Sequence, residues 1–177
     1  MNAPIDAAMK LPAQADPAAA RLALRAALGR YATGVTIITC RDADGAPVGL
    51  TANSFSALSL DPPLVLWSLR QASGSLAPFS AAPVFAVNVL AEDQVELSRR
   101  FASSVADKFQ GGDWRDGAHG APVLAGCAAV FECALTAQQT AGDHVLFIGQ
   151  VLAHCHAAET APLVFHAGHY HDLGDRL

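Results

Sequence analysis

Apolar and polar positions along this chain alternate mostly in short runs of strand length, with a helical period confined to a few segments. From Asp16 the stretch Asp-Pro-Ala-Ala-Ala-Arg-Leu-Ala-Leu-Arg-Ala-Ala-Leu-Gly-Arg predicts a helix. Asp16 is its N-cap, Pro17 takes the first helical position, Leu22, Leu24 and Leu28 are its apolar residues, and Gly29 ends it. Val35–Cys40 and Val48–Ala52 then read as strands around Arg41-Asp-Ala-Asp-Gly45, whose Asp-Gly step signals a hairpin. Leu64–Leu69, Val84–Val89, Ala128–Ala137 and His144–His156 continue the β pattern. Two helices interrupt it, a brief one over Ser75–Ala81 and a better one over Glu92–Ser104. The chain lacks repeated strand–helix–strand alternation, so a mainly β fold is expected, an antiparallel barrel with a few added helices rather than a doubly wound parallel sheet. No Gly-x-Gly-x-x-Gly follows a strand, and a nicotinamide nucleotide would have to bind without a Rossmann unit.

Length and composition narrow this further. At 177 residues the chain suits one domain, over residues 17–177, preceded by a lead-in of residues 1–16 whose Ala, Pro and Asn carry no period and predict disorder. Hydrophobic residues make up 52% and charged residues 15%, more apolar than an ordinary soluble monomer, which predicts surface buried against a second subunit. A net charge of −5 with no basic cluster longer than Arg99-Arg100 argues against nucleic acid. No apolar run approaches the roughly 20 residues of a membrane span, and no secretory signal is legible, so the cytoplasm is expected. Cys40, Cys127, Cys133 and Cys155 have no paired spacing and read as reduced core residues.

The most informative stretch for chemistry lies between two apolar strands, where Thr51, Asn53, Ser54, Ser56 and Ser59 supply more small polar groups than a turn requires. Hydroxyls and amides at a strand end suit a ligand rich in acceptors; a solvated edge is the alternative. Ser73-Gly-Ser75, ahead of the short helix, is either a modest anion site or an ordinary cap. On the Glu92–Ser104 helix, Leu90, Leu97 and Phe101 share an arc that would face the core. Arg100 then lies at the edge of that face, able to grip a phosphate, while Arg99 is opposite and solvated. A surface role for Arg100 beside Glu96 is the alternative. Asn88 is a polar residue in an apolar strand and needs partners, a ligand edge or the adjacent backbone. His154 with His156, and His169 with His171, could pair on strand faces, but no third or fourth ligand is evident and no metal is expected.

In order along the chain stand Tyr31-Ala-Thr-Gly-Val-Thr-Ile-Ile38, Gly49-Leu-Thr-Ala-Asn-Ser-Phe55, Leu60-Asp-Pro-Pro-Leu64, Phe85-Ala-Val-Asn-Val-Leu90, Leu97-Ser-Arg-Arg-Phe-Ala102 and Gly142-Asp-His144. Together they make the chain, over roughly residues 20–172, resemble the short-chain flavin reductases, the small components of two-component flavin monooxygenases. The resemblance implies an FMN-binding split barrel, a homodimer, and reduction of FMN or FAD by NADH or NADPH for a separate oxygenase. It implies a flavin site drawn from Thr36, Thr51, Ala52, Asn53, Ser54, Ser56, Ser73, Ser75, Asn88, Val89, Ser98, Arg100, Phe101, Gly142, Asp143 and Tyr170. In that family the Gly-Asp-His turn sets its histidine beside the flavin, against the incoming nicotinamide, which makes His144 the expected catalytic residue. Trp67 departs from the smaller residue common on its strand, and would crowd the adenine half of FAD if it pointed that way. A non-catalytic flavin-binding protein is the alternative function. An oxidase of pyridoxamine phosphate type is disfavoured by the lack of a basic cluster.

Overall fold

A computed structural model of the protein describes residues 16–174. The expected lead-in, but for Asp16, lies outside these residues. Helix α1 (Pro17–Leu28) begins as its sequence predicts, with the Asp16 carboxylate accepting the Ala18 amide and Pro17 in the first turn. At its end the Gly29 amide donates to Arg25, and Gly29 keeps an ordinary right-handed conformation. The apolar residues of α1 stay outside the core: Leu22, Leu24 and Leu28 are 68%, 55% and 66% exposed, and no residue of the helix is buried.

The strands follow as β1 (Thr33–Gly34), β2 (Thr36–Arg41), β3 (Pro47–Ala52), β4 (Ser56–Leu60), β5 (Pro63–Arg70), β6 (Val84–Val89), β7 (Trp114–Asp116), β8 (Pro122–Leu124), β9 (Ala129–Ala141), β10 (His144–His156), β11 (Val164–His166) and β12 (His169–His171). Helix α2 (Leu76–Ala81) leads from β5 to β6, and α3 (Val95–Ala102) follows β6. Seven strands form one antiparallel sheet in the order β3-β2-β6-β9-β10-β5-β4. Its two outermost strands, β3 and β4, are consecutive in the chain and joined by residues 53–55 alone. So short a link brings the two edges together, and the sheet curls into a barrel split along the β3–β4 seam.

The barrel interior is filled from both halves of the sheet by Ile38, Val65, Trp67, Phe85, Val87 and Phe147 with their buried neighbours. Trp67 is fully buried, stacked 4.5 Å from Phe147 and edge-on to Phe79 at 5.0 Å. Each such aromatic or aliphatic side chain contributes about 1.5–3 kcal/mol by leaving water. The bend of β10 at Gly149 belongs to this packing, since a Cβ there would sit 2.4 Å from the Phe85 ring. A second cluster of Val35, Ile37, Leu90, Phe101, Phe109 and Leu163 lies on the outer face of the sheet, under α3. Strand β2 is therefore covered on both faces, which is why Thr36 to Cys40 are buried without a break rather than in alternation.

Two smaller sheets complete the fold, β1-β11-β12 and the β7–β8 hairpin. The β2–β3 hairpin closes as expected: Asp42 Oδ1 accepts the Asp44 and Ala46 amides, and Gly45 takes φ +78°. Helix α3 is shorter than Glu92–Ser104. Residues 91–94 form a turn in which the Gln94 side chain accepts the Ala91 amide, and Leu90 reaches the core from outside the helix, paired with Val35 and Leu163 through its backbone. Strand β4 was hidden in the polar run, its burial too slight to impose an alternation.

Candidate functional site

The polar run that opens β4 divides into residues that hold the barrel and residues that remain open. Thr51 Oγ1 donates to the Ser98 carbonyl at 2.6 Å and so joins β3 to α3. Ser54 Oγ accepts the Ser68 amide at 3.0 Å and donates to the Ser68 carbonyl at 3.1 Å, closing the seam between the 53–55 link and β5. Asn53 and Ser56 are exposed on either side of Ser54.

Register brings further expected residues to the same end of the barrel. Thr36 pairs with Ala52 on one side and Val89 on the other, and its hydroxyl donates to the Ala52 carbonyl at 2.7 Å. Ser98, fully buried, hydrogen-bonds the Tyr170 hydroxyl at 2.9 Å, which ties α3 to β12. On the other flank His144 pairs with Arg70, two residues beyond Ser68. The Gly142-Asp143-His144 turn is held there by Gln71, whose backbone amide donates to the Asp143 carbonyl and whose side chain donates to the Gly142 carbonyl, both at 2.9 Å. Ser73 and Ser75 follow directly; Ser73 Oγ accepts the Ser75 amide, and Ser75 makes no side-chain cap of α2. Gly142 takes φ +59°, a left-handed turn conformation that favours glycine.

The imidazole of His144 lies 2.7 Å from the Asp143 carboxylate, with the His144 side chain 39% exposed and that of Asp143 87% exposed. This hydrogen bond, reinforced by the charges of His144 and Arg70, holds the Asp143 carboxyl below its ordinary value. Arg70 carries a role that the sequence reading missed; its only signal was a cation at the end of an apolar strand. Lys108 was missed too. Its ammonium donates to the carbonyls of Phe101 at 2.8 Å and Gly49 at 3.4 Å, and burial lowers its pKa.

Other expectations are corrected. Asn88 is fully buried: its Nδ2 donates to the Ile37 carbonyl and Thr39 Oγ1, and its Oδ1 accepts the Leu124 amide. The adjacent backbone takes its polar groups, so its side chain is closed to a ligand. Phe101 is 1% exposed, packed against Phe109 and over Gly49, and cannot line an open face. Both arginines of α3 are exposed. Arg99 is solvated as expected, but it is Arg99 rather than Arg100 that pairs with Glu96, with its guanidinium 5.8 Å from the Tyr170 ring centre. Arg100 points the other way and donates to the Gln110 carbonyl at 3.3 Å. Trp67 is fully buried in the barrel interior, stacked on Phe147, and does not point out to the open face. Cys40 and Cys133 are buried, with burial pushing each thiol up to about 12. Cys127, half-buried, packs against the second cluster under α3, whereas Cys155 is exposed near the end of β10. Among the described residues no three His, Cys, Asp or Glu side chains group as a metal site; His154 packs beside Phe131, and His166 beside His171.

In the single chain this site is an open face. Elsewhere lie a groove of about 630 Å³ lined by Trp114, Val123, Val130, Glu132 and Cys155, and an adjoining one of about 370 Å³ lined by Leu97, Phe101, Phe109 and Leu124. The open face nevertheless has groups that suit an acceptor-rich, phosphorylated ligand: hydroxyls and amides free of the core at Asn53, Ser56 and Ser75, and at its flank the cation of Arg70, the strand partner of His144.

A split barrel with this constellation defines a class of flavin-binding proteins, and comparison with known proteins gives the family. Residues 28–174 match the model of the flavin reductase like domain. The chain is 44% identical over 146 residues to the reductase subunit of a flavin-dependent monooxygenase from Rhodococcus jostii (strain RHA1), covering 82% of this chain and 74% of that one. It is 49% identical over 131 residues, 74% of this chain, to a Rhizobium meliloti (strain 1021) protein named a probable flavin reductase, of whose length it spans 42%. Among solved structures it superposes with a TM-score of 0.83 and 36% identity on an NADH:FAD oxidoreductase of Streptomyces globisporus in complex with NAD and FAD fragments, covering 89% of this chain and 94% of that one. The chain belongs to the flavin reductase family, whose members are oxidoreductases that use flavin and a nicotinamide nucleotide. No helix among the described residues is long and apolar enough to cross a membrane.

Proposed function

We propose that this protein is an NAD(P)H:flavin oxidoreductase that reduces FMN or FAD and supplies the reduced flavin to a separate oxygenase. The observation that carries this reading is the meeting of the 53–56 link and the Gly142-Asp143-His144 turn at one end of β5, through Ser68, Arg70 and Gln71. Bound flavin would supply the hydride-accepting ring and the nicotinamide nucleotide the hydride. The protein's part is then orientation. Asn53, Ser54 and Ser56 line the ring and ribityl chain, with Thr36, Thr51, Ala52, Val89, Ser98 and Tyr170 shaping the wall behind them. Ser73, Ser75 and Arg100 are the candidates for the phosphate. His144, held by Asp143, positions the nicotinamide, and hydride transfer asks no proton of it. The oxygenase partner is supported by relatives such as the Rhodococcus jostii reductase subunit. A homodimer is supported by the 52% hydrophobic composition and the exposed leucines of α1.

The test is NADH and NADPH oxidation by the purified protein with and without added FMN, FAD or riboflavin. Turnover that requires flavin supports the reading. Tight flavin binding with no oxidation of either nucleotide would leave the non-catalytic flavin-binding protein in its place.

A further inference from the structure

Helix α1 is twelve residues long, none of them buried, and among the described residues the Ala167 amide, donating to the Gly29 carbonyl, makes the backbone hydrogen bond that ties its end to the β11–β12 hairpin. Isolated helices of that length are marginal in water and draw their stability from a packed face. At about 100° per residue Ala20, Leu24, Ala27 and Leu28 form one stripe, flanked on one side by Arg21 and Arg25. Tyr31 follows, 79% exposed. Elsewhere on the same chain the two adjoining grooves make a trough shared at Trp114 and Leu124, with an apolar floor and with Asp93 and Asp113 on its rim. Of the two cations that line it, Lys108 turns its ammonium to the Phe101 and Gly49 carbonyls and Arg115 donates to the Asp116 carbonyl.

We propose that this trough receives α1 of a second copy of the chain. The stripe matches the apolar floor, and Arg21 and Arg25 are opposite in charge to Asp93 and Asp113, in a chain whose net charge of −5 otherwise opposes self-association. A copy's own α1 does not fill its trough, since no residue of that helix is buried. Helix in groove is a standard mode of recognition, and reciprocal exchange of α1 between two copies gives a closed dimer. The inference rests on the dimer proposed above and names the surfaces that make it.

Reversing the charges tests it. Arg21→Glu with Arg25→Glu, and separately Asp93→Lys with Asp113→Lys, alter exposed side chains and should leave thermal unfolding of the barrel intact. Each pair should raise the dimer dissociation constant, measured by sedimentation at moderate salt, by about tenfold or more, and all four together should restore it to within about threefold. Leu24→Asp with Leu28→Asp should also dissociate the dimer. A wild-type monomer at tens of micromolar, a dimer unmoved by the reversals, or a fourfold variant weaker than either pair would overturn the proposal. So would binding to anionic vesicles that Leu24→Asp removes while the dimer persists, which would make α1 a membrane-surface helix. NADH-dependent flavin reduction, read in parallel on the wild type, reports on the enzymatic reading separately from the docking of α1.

Discussion

At the scale of single residues, the pair Asp143–His144 sits where β5, β10 and the open face meet, and each partner makes a separate prediction. His144→Ala should leave flavin affinity nearly unchanged while slowing flavin reduction by NADH, because its proposed contact is with the nicotinamide. Stopped-flow reduction beside a flavin titration separates the two, and normal NADH kinetics in the variant would reduce Gly142-Asp143-His144 to a plain turn. Asp143 is held below the ordinary carboxyl value of 3.8 by its hydrogen bond with His144. A depressed carboxyl pKa means that the contact is present above the unfolded value and is lost as pH falls through the folded one. Carboxyl NMR should therefore show Asp143 titrating on the acid side of 3.8 in the wild type and returning towards it in His144→Ala. Both side chains are open to solvent, so the contact orients the imidazole more than it stabilises the fold.

At the scale of elements, α3 decides which cation can serve a phosphate. It runs antiparallel to β3, with Ser98 over Thr51 and Phe101 over Gly49, where an added Cβ would lie 2.5 Å from the Phe101 ring. Arg99 and Arg100 thus leave the helix on opposite sides, one over Tyr170 and one towards Gln110. Arg100→Ala should weaken FMN and FAD by about 1.5–3 kcal/mol and riboflavin hardly at all. Arg99→Ala, which breaks a surface ion pair with Glu96, should change flavin affinity by less than about 0.5 kcal/mol. Calorimetric titration of both variants with FMN and riboflavin checks this. An equal loss for riboflavin in Arg100→Ala would trace the effect to a loosened 109–112 loop instead of a phosphate contact.

For the whole molecule, the seam of the barrel is the place where ligand binding and folding are linked. The 53–55 link that bridges its two edges is held to β5 by the Ser54–Ser68 hydrogen bonds, beside the residues proposed to hold flavin. One flavin per chain should therefore bind and quench, and at about 100 times its dissociation constant it should stabilise the protein by about 2.7 kcal/mol. Fluorescence titration and thermal unfolding with and without FMN measure both. A stoichiometry of one per two chains would move the site onto the contact between copies.

Much of this was legible in the chain alone, because local chemistry dictates it. The Asp16–Pro17 start of α1, the Asp42–Gly45 hairpin, the long β9 and β10 and the ordered blocks from Tyr31 to His144 follow from capping, turn residues, β-branched runs and resemblance. Tertiary contacts decided the rest. Asn88 could have met a flavin or the backbone, and only the approach of Ile37, Thr39 and Leu124 assigned it to the core. A helical wheel ranked Arg100 by angle but could not know that Tyr170 and Gln110 lie on opposite flanks of α3. Strand β4 carries too little burial to show a period, and the leucines of α1 look like core residues until the barrel is seen to form without them. Periodicity reports which side of an element is apolar; what covers that side depends on contacts between residues far apart in the chain, and these exist only once the sheet has curled.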